Sequence, residues 1–259
     1  MTDKELCEGI FIVEDLSDGA RSKYWVMKEG KKFLLKVNKV HPSGELTKEN
    51  VSEYLAMLIA KELNIPCVNI ILSESAILSE VMYDEVVHSF IEYSEEFYHS
   101  FHLSNLSTFD ISTLLNPKHN AYVSEVVQML LFDILIGNSD RHPGNFGYTV
   151  NGFYPLFDNG SSLLAYVKEV DIDSYLNNSD RFNSLVYTKS KPVLRVGQKL
   201  KHYELLSILK DSHSVEFRNF AERLHSLNFH DMLESLPITD NRKLLLEKFL
   251  NTRKAWFYE

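Results

Sequence analysis

Cysteine is scarce in this sequence. Cys7 and Cys67 are its two thiols in 259 residues and form no CxxC pair, which excludes a disulfide framework and a thiolate metal cluster and points to a reducing compartment. Basic charge is also short. Lys and Arg number 27 against 36 Asp and Glu, a net charge of −9, so the chain lacks the positive surface that unassisted binding to a phosphate backbone needs. Direct contact with nucleic acid is not expected. No apolar run reaches the roughly eighteen residues of a membrane span, and the N-terminal MTDKELCEGIFIVEDLSDG lacks the basic-then-apolar layout of a signal peptide. The cytoplasm is the expected location, with signal-independent export left open. There is no internal repeat and no low-complexity segment.

What is present is enough apolar residue for a substantial core: 44% hydrophobic, 12% aromatic. That suits one large domain or two closely packed lobes. Residues 10–40 alternate short β-rich runs (GIFIVED, YWVMK, FLLKVNKV) with turn residues, which predicts two or three antiparallel strands. ENVSEYLAMLIAKELNIP, 49–66, has apolar residues at 51, 55, 58, 59 and 63, helical spacing that ends at a proline. CVNIIL, AILSEVM and VVHSFIEY then predict three more strands. From 121 the texture changes. Val123, Val126, Val127, Leu130, Leu131, Ile134 and Leu135 mark a helix that stops at Gly137, and beyond residue 200 the pattern is helical again. The expected fold is α+β and two-lobed, with a β-rich N-lobe over 1–92 and a helical C-lobe over 93–259.

One tetrapeptide, NSDR, occurs twice, at 138–141 and 178–181. The first copy lies in GNSDRHPGNFG, between the long helix and two short strands, FGYTV and FYPLF, joined by an Asn-Gly turn, a strong hairpin signal. Asp140, His142 and Asn145 thus sit on a loop with rigid flanks, and Asp158 stands where the second strand ends. Phosphoryl transfer uses such a set: a carboxylate orients the attacking hydroxyl and takes its proton, while one or two oxygen ligands hold Mg2+ against the nucleotide phosphates. Asp140 suits the first task, Asn145 and Asp158 the second. The second copy has neither flank, and the fifth residue after its Asp is Leu185, which cannot bind Mg2+. It reads as a solvated loop.

GNSDRHPGNFG followed by PLFDNGSSL resembles the catalytic loop and metal-binding segment of the HipA-like kinases, within them the short form typified by the cell-translocating kinase A proteins. DRHxxN is similar to the motif of phosphatidylinositol kinases as well. Upstream, SDGARSK, FLLK, the helix with its Glu, LNIP and HSFIEY follow the order of the same family's N-lobe. The resemblance covers residues 10–165 and implies ATP and Mg2+ as cofactors and a two-lobed kinase fold. It also implies roles by position. Lys36 would pair with the nucleotide phosphates, Glu53 would hold that lysine, His142 would serve the catalytic site by supporting the loop or the phosphates, and Phe90, in a linker between lobes, would meet the adenine through its backbone. Segment 17–23, with Ser17, Gly19 and Ser22, would cover the phosphates with backbone N–H groups, and it departs from the multi-glycine loop of eukaryotic kinases. Serines there, and Tyr24, raise self-phosphorylation as a hypothesis. The length leaves no room for the extra N-terminal subdomain of full-length HipA toxins, which implies half of a split system or a stand-alone effector, with an antitoxin-like partner as a possibility.

Each residue also has a plain structural reading. Lys36 alone is a solvated lysine at a strand end, Glu53 a surface carboxylate, and His142 a loop former. Asp140, Asn145 and Asp158 are common turn residues, and it is their joint spacing that favours chemistry. The expected activity is a protein serine/threonine kinase acting on a protein substrate. The alternatives are a lipid or small-molecule kinase and an inactive kinase-shaped binding module.

Overall fold

In the computed structural model, which describes residues 1–16, 22–82, 88–89, 109–118, 120–149 and 151–259, the chain opens with a short helix, α1 (Asp3–Cys7), whose start is closed by a capping box between Thr2 and Glu5. Strands β1 (Phe11–Asp15), β2 (Lys23–Lys28) and β3 (Lys31–Val37) form an antiparallel meander. Helix α2 (Glu49–Glu62) follows, and β4 (Ile70–Leu72) and β5 (Ala76–Glu80) complete a five-stranded sheet of order β1-β2-β3-β5-β4. Successive side chains of a strand point to opposite faces. Phe33 and Leu35 therefore pack with Val26, Leu78 and Leu6 of α1 on one face. Lys36 is sent to the other, where Met57 of α2 packs on Ile70 and Ile77.

Two short strands, β6 (His88–Ser89) and β7 (Phe109–Asp110), lead to helices α3 (Ile111–Leu114) and α4 (Val123–Ile136). From Val126 onward every residue of α4 except Gln128 is buried, so this helix is apolar nearly all round, as a central core helix must be. It ends at Gly137, whose φ of 69° lets its N–H reach the Asp133 carbonyl. A Cβ at that position would come within 2.8 Å of Phe249 Cζ. In the hairpin of β8 (Gly147–Thr149) and β9 (Gly152–Phe153), Thr149 pairs with Gly152, so the glycine expected in the turn instead opens β9, directly after Asn151. Helices α5 (Ile172–Asn177) and α6 (Ser179–Val186), the hairpin β10 (Lys189–Arg195) and β11 (Gln198–Lys201), and helices α7 (His202–Ser212), α8 (Ser214–His225), α9 (His230–Glu234) and α10 (Asp240–Ala255) finish the chain. α7, α8 and α10 pack around α4.

The expected architecture, a sheet-rich part and a helical part, is what forms. Several local expectations are corrected. CVNIIL is strand from Ile70 on, with Cys67 in an isolated parallel bridge to Leu156. The run FYPLF is strand only at Phe153, since Leu156 is drawn to Cys67 across the lobes. Residues 88–89 of HSFIEY pair with β8 and so extend the β8–β9 hairpin. The second NSDR is no loop: α5 feeds it and it opens α6, because Asn178 caps that helix by accepting from the Arg181 N–H at 2.9 Å. The expected lobe boundary at 92/93 and Phe90, Ser17 and Gly19 fall outside the described residues.

Candidate active site

β3 and α2 meet at Lys36. Its Nζ donates to Glu53 Oε1 at 2.7 Å and to Asp158 Oδ1 at 2.9 Å. Lys36 and Glu53 are 2% and 1% exposed, so neither is the solvated side chain of its plain reading. An ammonium this deep needs paired carboxylates, because desolvation alone would expel its charge. Asp158 holds its place in the left-handed region, at φ 53°, a strained conformation for a residue with a Cβ that persists where surroundings over-determine it. Gly160, two residues on, runs so close beneath α2 that a Cβ there would meet Glu53 Oε1 at 3.3 Å.

The loop after α4 is fixed from within by a buried ion pair that the sequence reading missed. Arg141 is 1% exposed and grips Asp133, one turn before the end of α4, through Nε and Nη2. Its Nη1 donates to the carbonyls of Asn145, at 2.9 Å, and Phe157, at 2.6 Å, and Nη2 also reaches Asn159 Oδ1. One guanidinium thus ties the segment carrying Asp140 and Asn145 to the segment carrying Asp158. Burial pushes the Asp133 carboxyl up, and the guanidinium beside it pulls the other way. The signal was in the sequence: an Asp inside an otherwise apolar helix is costly to bury without a partner.

Asp140 is half-buried and its N–H is held by Asn138 Oδ1 at 3.0 Å. Asn145 Nδ2 donates to the Asp140 carbonyl at 2.9 Å, which leaves the amide oxygen as the atom type suited to a metal. His142 Nδ1 accepts from the Gly144 N–H at 3.1 Å and caps the short 3-10 turn Pro143–Asn145, so His142 shapes the loop. Among the described residues no cluster of three or more His, Cys, Asp or Glu forms a ready-made metal site. The donors at hand, a carboxylate on Asp158 and an amide on Asn145, are hard oxygens of the kind Mg2+ takes when phosphates complete its shell. Of the expected phosphate-loop residues, Ser22 is exposed directly before β2, and its carbonyl accepts from the Val37 N–H. Cys67 lies behind the site, where burial pushes its thiol up to about 12 and keeps it protonated.

The same four letters do different work in the two copies. Arg141 is buried as the clamp of the site, whereas Arg181 has a side chain 49% exposed, 3.8 Å from Asp171 and stacked on Tyr175.

Residues 16–202 match the family described as the HipA-like C-terminal domain. Among curated proteins, the serine/threonine-protein kinase CtkA of Helicobacter pylori strain J99 is 26% identical over 137 residues, 49% of this chain and 42% of that protein. The aligned part is thus less than half the length of that relative. Two solved structures share the fold. The H. pylori proinflammatory kinase CtkA superposes with a TM-score of 0.77 at 19% identity, over 95% of this chain and 92% of that one. HipA of Shewanella oneidensis MR-1, solved with HipB and operator DNA, gives 0.50 at 15% identity, over 95% and 65%.

Proposed function

The chain belongs to the family of the HipA-like C-terminal domain, and from that premise we propose that it is an ATP- and Mg2+-dependent protein serine/threonine kinase whose base is Asp140. The observation that carries this reading is the buried Lys36–Glu53–Asp158 cluster set against a loop that one guanidinium, Arg141, ties to the Asp158 segment.

The geometry supports the following roles. Lys36 offers its ammonium to the nucleotide phosphates, and Glu53 keeps that charge in place and oriented. Asp140 receives the hydroxyl of the acceptor and takes its proton as the bond to phosphorus forms. Asn145 and Asp158 would hold Mg2+, which would supply charge neutralisation for the phosphates. Arg141 and Asp133 contribute rigidity, since catalysis here is positioning more than covalent chemistry. Serine or threonine as acceptor is supported by the likeness to the serine/threonine-protein kinase CtkA, and an antitoxin-type partner by the HipB solved with HipA. Self-phosphorylation at Ser22 belongs to the same reading, because that serine is an exposed residue of the segment expected to cover the phosphates.

The test is transfer of labelled γ-phosphate from ATP with Mg2+, to the chain itself and to protein acceptors, in wild type, Asp140→Asn and Asp158→Asn. Label in wild-type incubations that both substitutions abolish is the expected result. Label that survives Asp140→Asn would remove Asp140 from its role, and label confined to a lipid extract would move the activity to another substrate class.

A further inference from the structure

Asn138, two residues before Asp140, uses every polar group it has. Its N–H donates to the Asp133 carbonyl, its Nδ2 to Asp133 Oδ1, and its Oδ1 accepts from the Asp140 N–H. Its remaining group, the backbone carbonyl, lies 3.0 Å from Nε2 of His202, the first residue of α7. A carbonyl only accepts, so Nε2 carries the proton. Nδ1 is then an acceptor, and its neighbours fit that assignment: Arg253 Nη1 at 3.2 Å and Thr188 Oγ1 at 3.1 Å. Arg253 donates from Nη2 to Thr188 Oγ1 at 2.7 Å, which leaves the threonine hydroxyl proton for the imidazole.

Arg253, on α10, is fully buried, and no carboxylate pairs with it among the described residues. Its charge is faced instead by the carbonyls of Ile134, near the end of α4, and Val186, the last residue of α6. Both are C-terminal ends of helices, where the peptide dipoles present negative potential. Burial and the guanidinium alongside push His202 down to about 3, so the ring is neutral across the physiological range. Among the described residues, the hydrogen bond that joins this charge-and-tautomer arrangement to the loop is the one to the Asn138 carbonyl.

We infer that His202, locked in its Nε2–H tautomer by Arg253 and Thr188, is a positioning residue that holds the Asn138 carbonyl and through it aims Asp140. The inference rests on the kinase reading of Asp140. It assigns to the last long helix a part in catalysis that no residue in the nucleotide cleft performs: α10 sets the imidazole, the imidazole sets Asn138, and Asn138 sets the backbone of the base.

The experiment compares His202→Phe, His202→Gln and His202→Asn in full-length protein. Gln places an amide nitrogen where Nε2 stands, and Asn places it where Nδ1 stands, so only Gln retains the donor toward Asn138. His202→Phe and His202→Asn are expected to lower kcat by about 10- to 100-fold, the scale of an ångström-sized misplacement, while KM for ATP stays within about 2-fold, since Lys36 and Glu53 are untouched. His202→Gln is expected to recover most of the lost kcat. A role confined to filling space predicts the reverse order, with Phe outperforming Gln, and that order overturns the inference, as does a wild-type kcat in the Asn variant. Should wild type transfer no phosphate, the kinase reading fails separately. Hydrogen exchange at the amides of Ser139–Arg141, protected in wild type and Gln and unprotected in Phe and Asn, then decides positioning alone, and uniform protection refutes it.

Discussion

Acid should unfold this protein partly through one imidazole. His202 is buried beside Arg253, and its folded pKa is about 3 against an ordinary 6.5. Between those values the unfolded chain binds a proton that the native chain refuses, so stability from this residue is complete above pH 6.5 and is lost as pH falls. Each unit below 6.5 costs about 1.4 kcal/mol until the folded pKa is reached. At pH 5 the loss is about 2 kcal/mol and at pH 4 about 3 kcal/mol, against a total stability on the order of 5–15 kcal/mol. The comparison to make is urea unfolding of wild type and His202→Gln at pH 7, 5 and 4. The glutamine keeps the donor toward Asn138 and cannot titrate, so it should narrow the stability lost between pH 7 and pH 4 by about 3 kcal/mol. Carboxylates held low by their hydrogen bonds, such as Asp3 and Asp110, lose their contribution in both proteins and cancel in the difference. Parallel loss in the two proteins would refute the assignment of a buried neutral imidazole.

Other outcomes are as definite. Asn178→Ala should cost about 1 kcal/mol as a lost helix cap and leave phosphate transfer unchanged. Asn138→Ala removes the side chain that holds the Asp140 N–H and should lower turnover by about tenfold or more; equal effects at the two sites would erase the distinction between the copies. Gly137→Ala forces a Cβ into a left-handed backbone and against Phe249, and thermal unfolding should report a loss of about 2–4 kcal/mol. A thiol reagent at pH 8 should label exposed Cys7 well before partly buried Cys67, whose thiol burial keeps protonated; equal labelling rates at the two would contradict that assignment.

The parts of the fold that could be read from the sequence were those in which one periodicity dominates. α4 was visible because its apolar residues recur at helical spacing and a glycine closes it, and β2, β3 and α2 were visible for similar reasons. The pairing of Lys36 with Glu53 followed from order along the chain through a family resemblance, and the structure brings both to Asp158. The hairpin of β10 and β11 escaped because its sequence, KSKPVLRVGQKLK, alternates weakly and turns at Val196–Gly197, with Val196 in a left-handed conformation that valine rarely adopts. α6 escaped because Asn, Ser and Asp serve helix caps and loops equally well. Arg141 and Arg253 were missed for another reason. Nothing local distinguishes a buried arginine from a surface one, and the partners of Arg253 are carbonyls set by tertiary packing.

The burial of α4 also has a consequence in time. When synthesis has reached residue 200, all of α4 has been made and none of the three helices that will cover it, which begin at 202, 214 and 240. The emerging chain therefore carries an apolar cylinder in search of cover, and its contacts are of long sequence separation, which makes folding slow and exposes the intermediate to aggregation. Arg253, which lies against the His202 imidazole, is made after all three of those helices have begun. A chain cut short before α10 would contain Lys36, Glu53, Asp140, Asn145 and Asp158 without the packing that aims them.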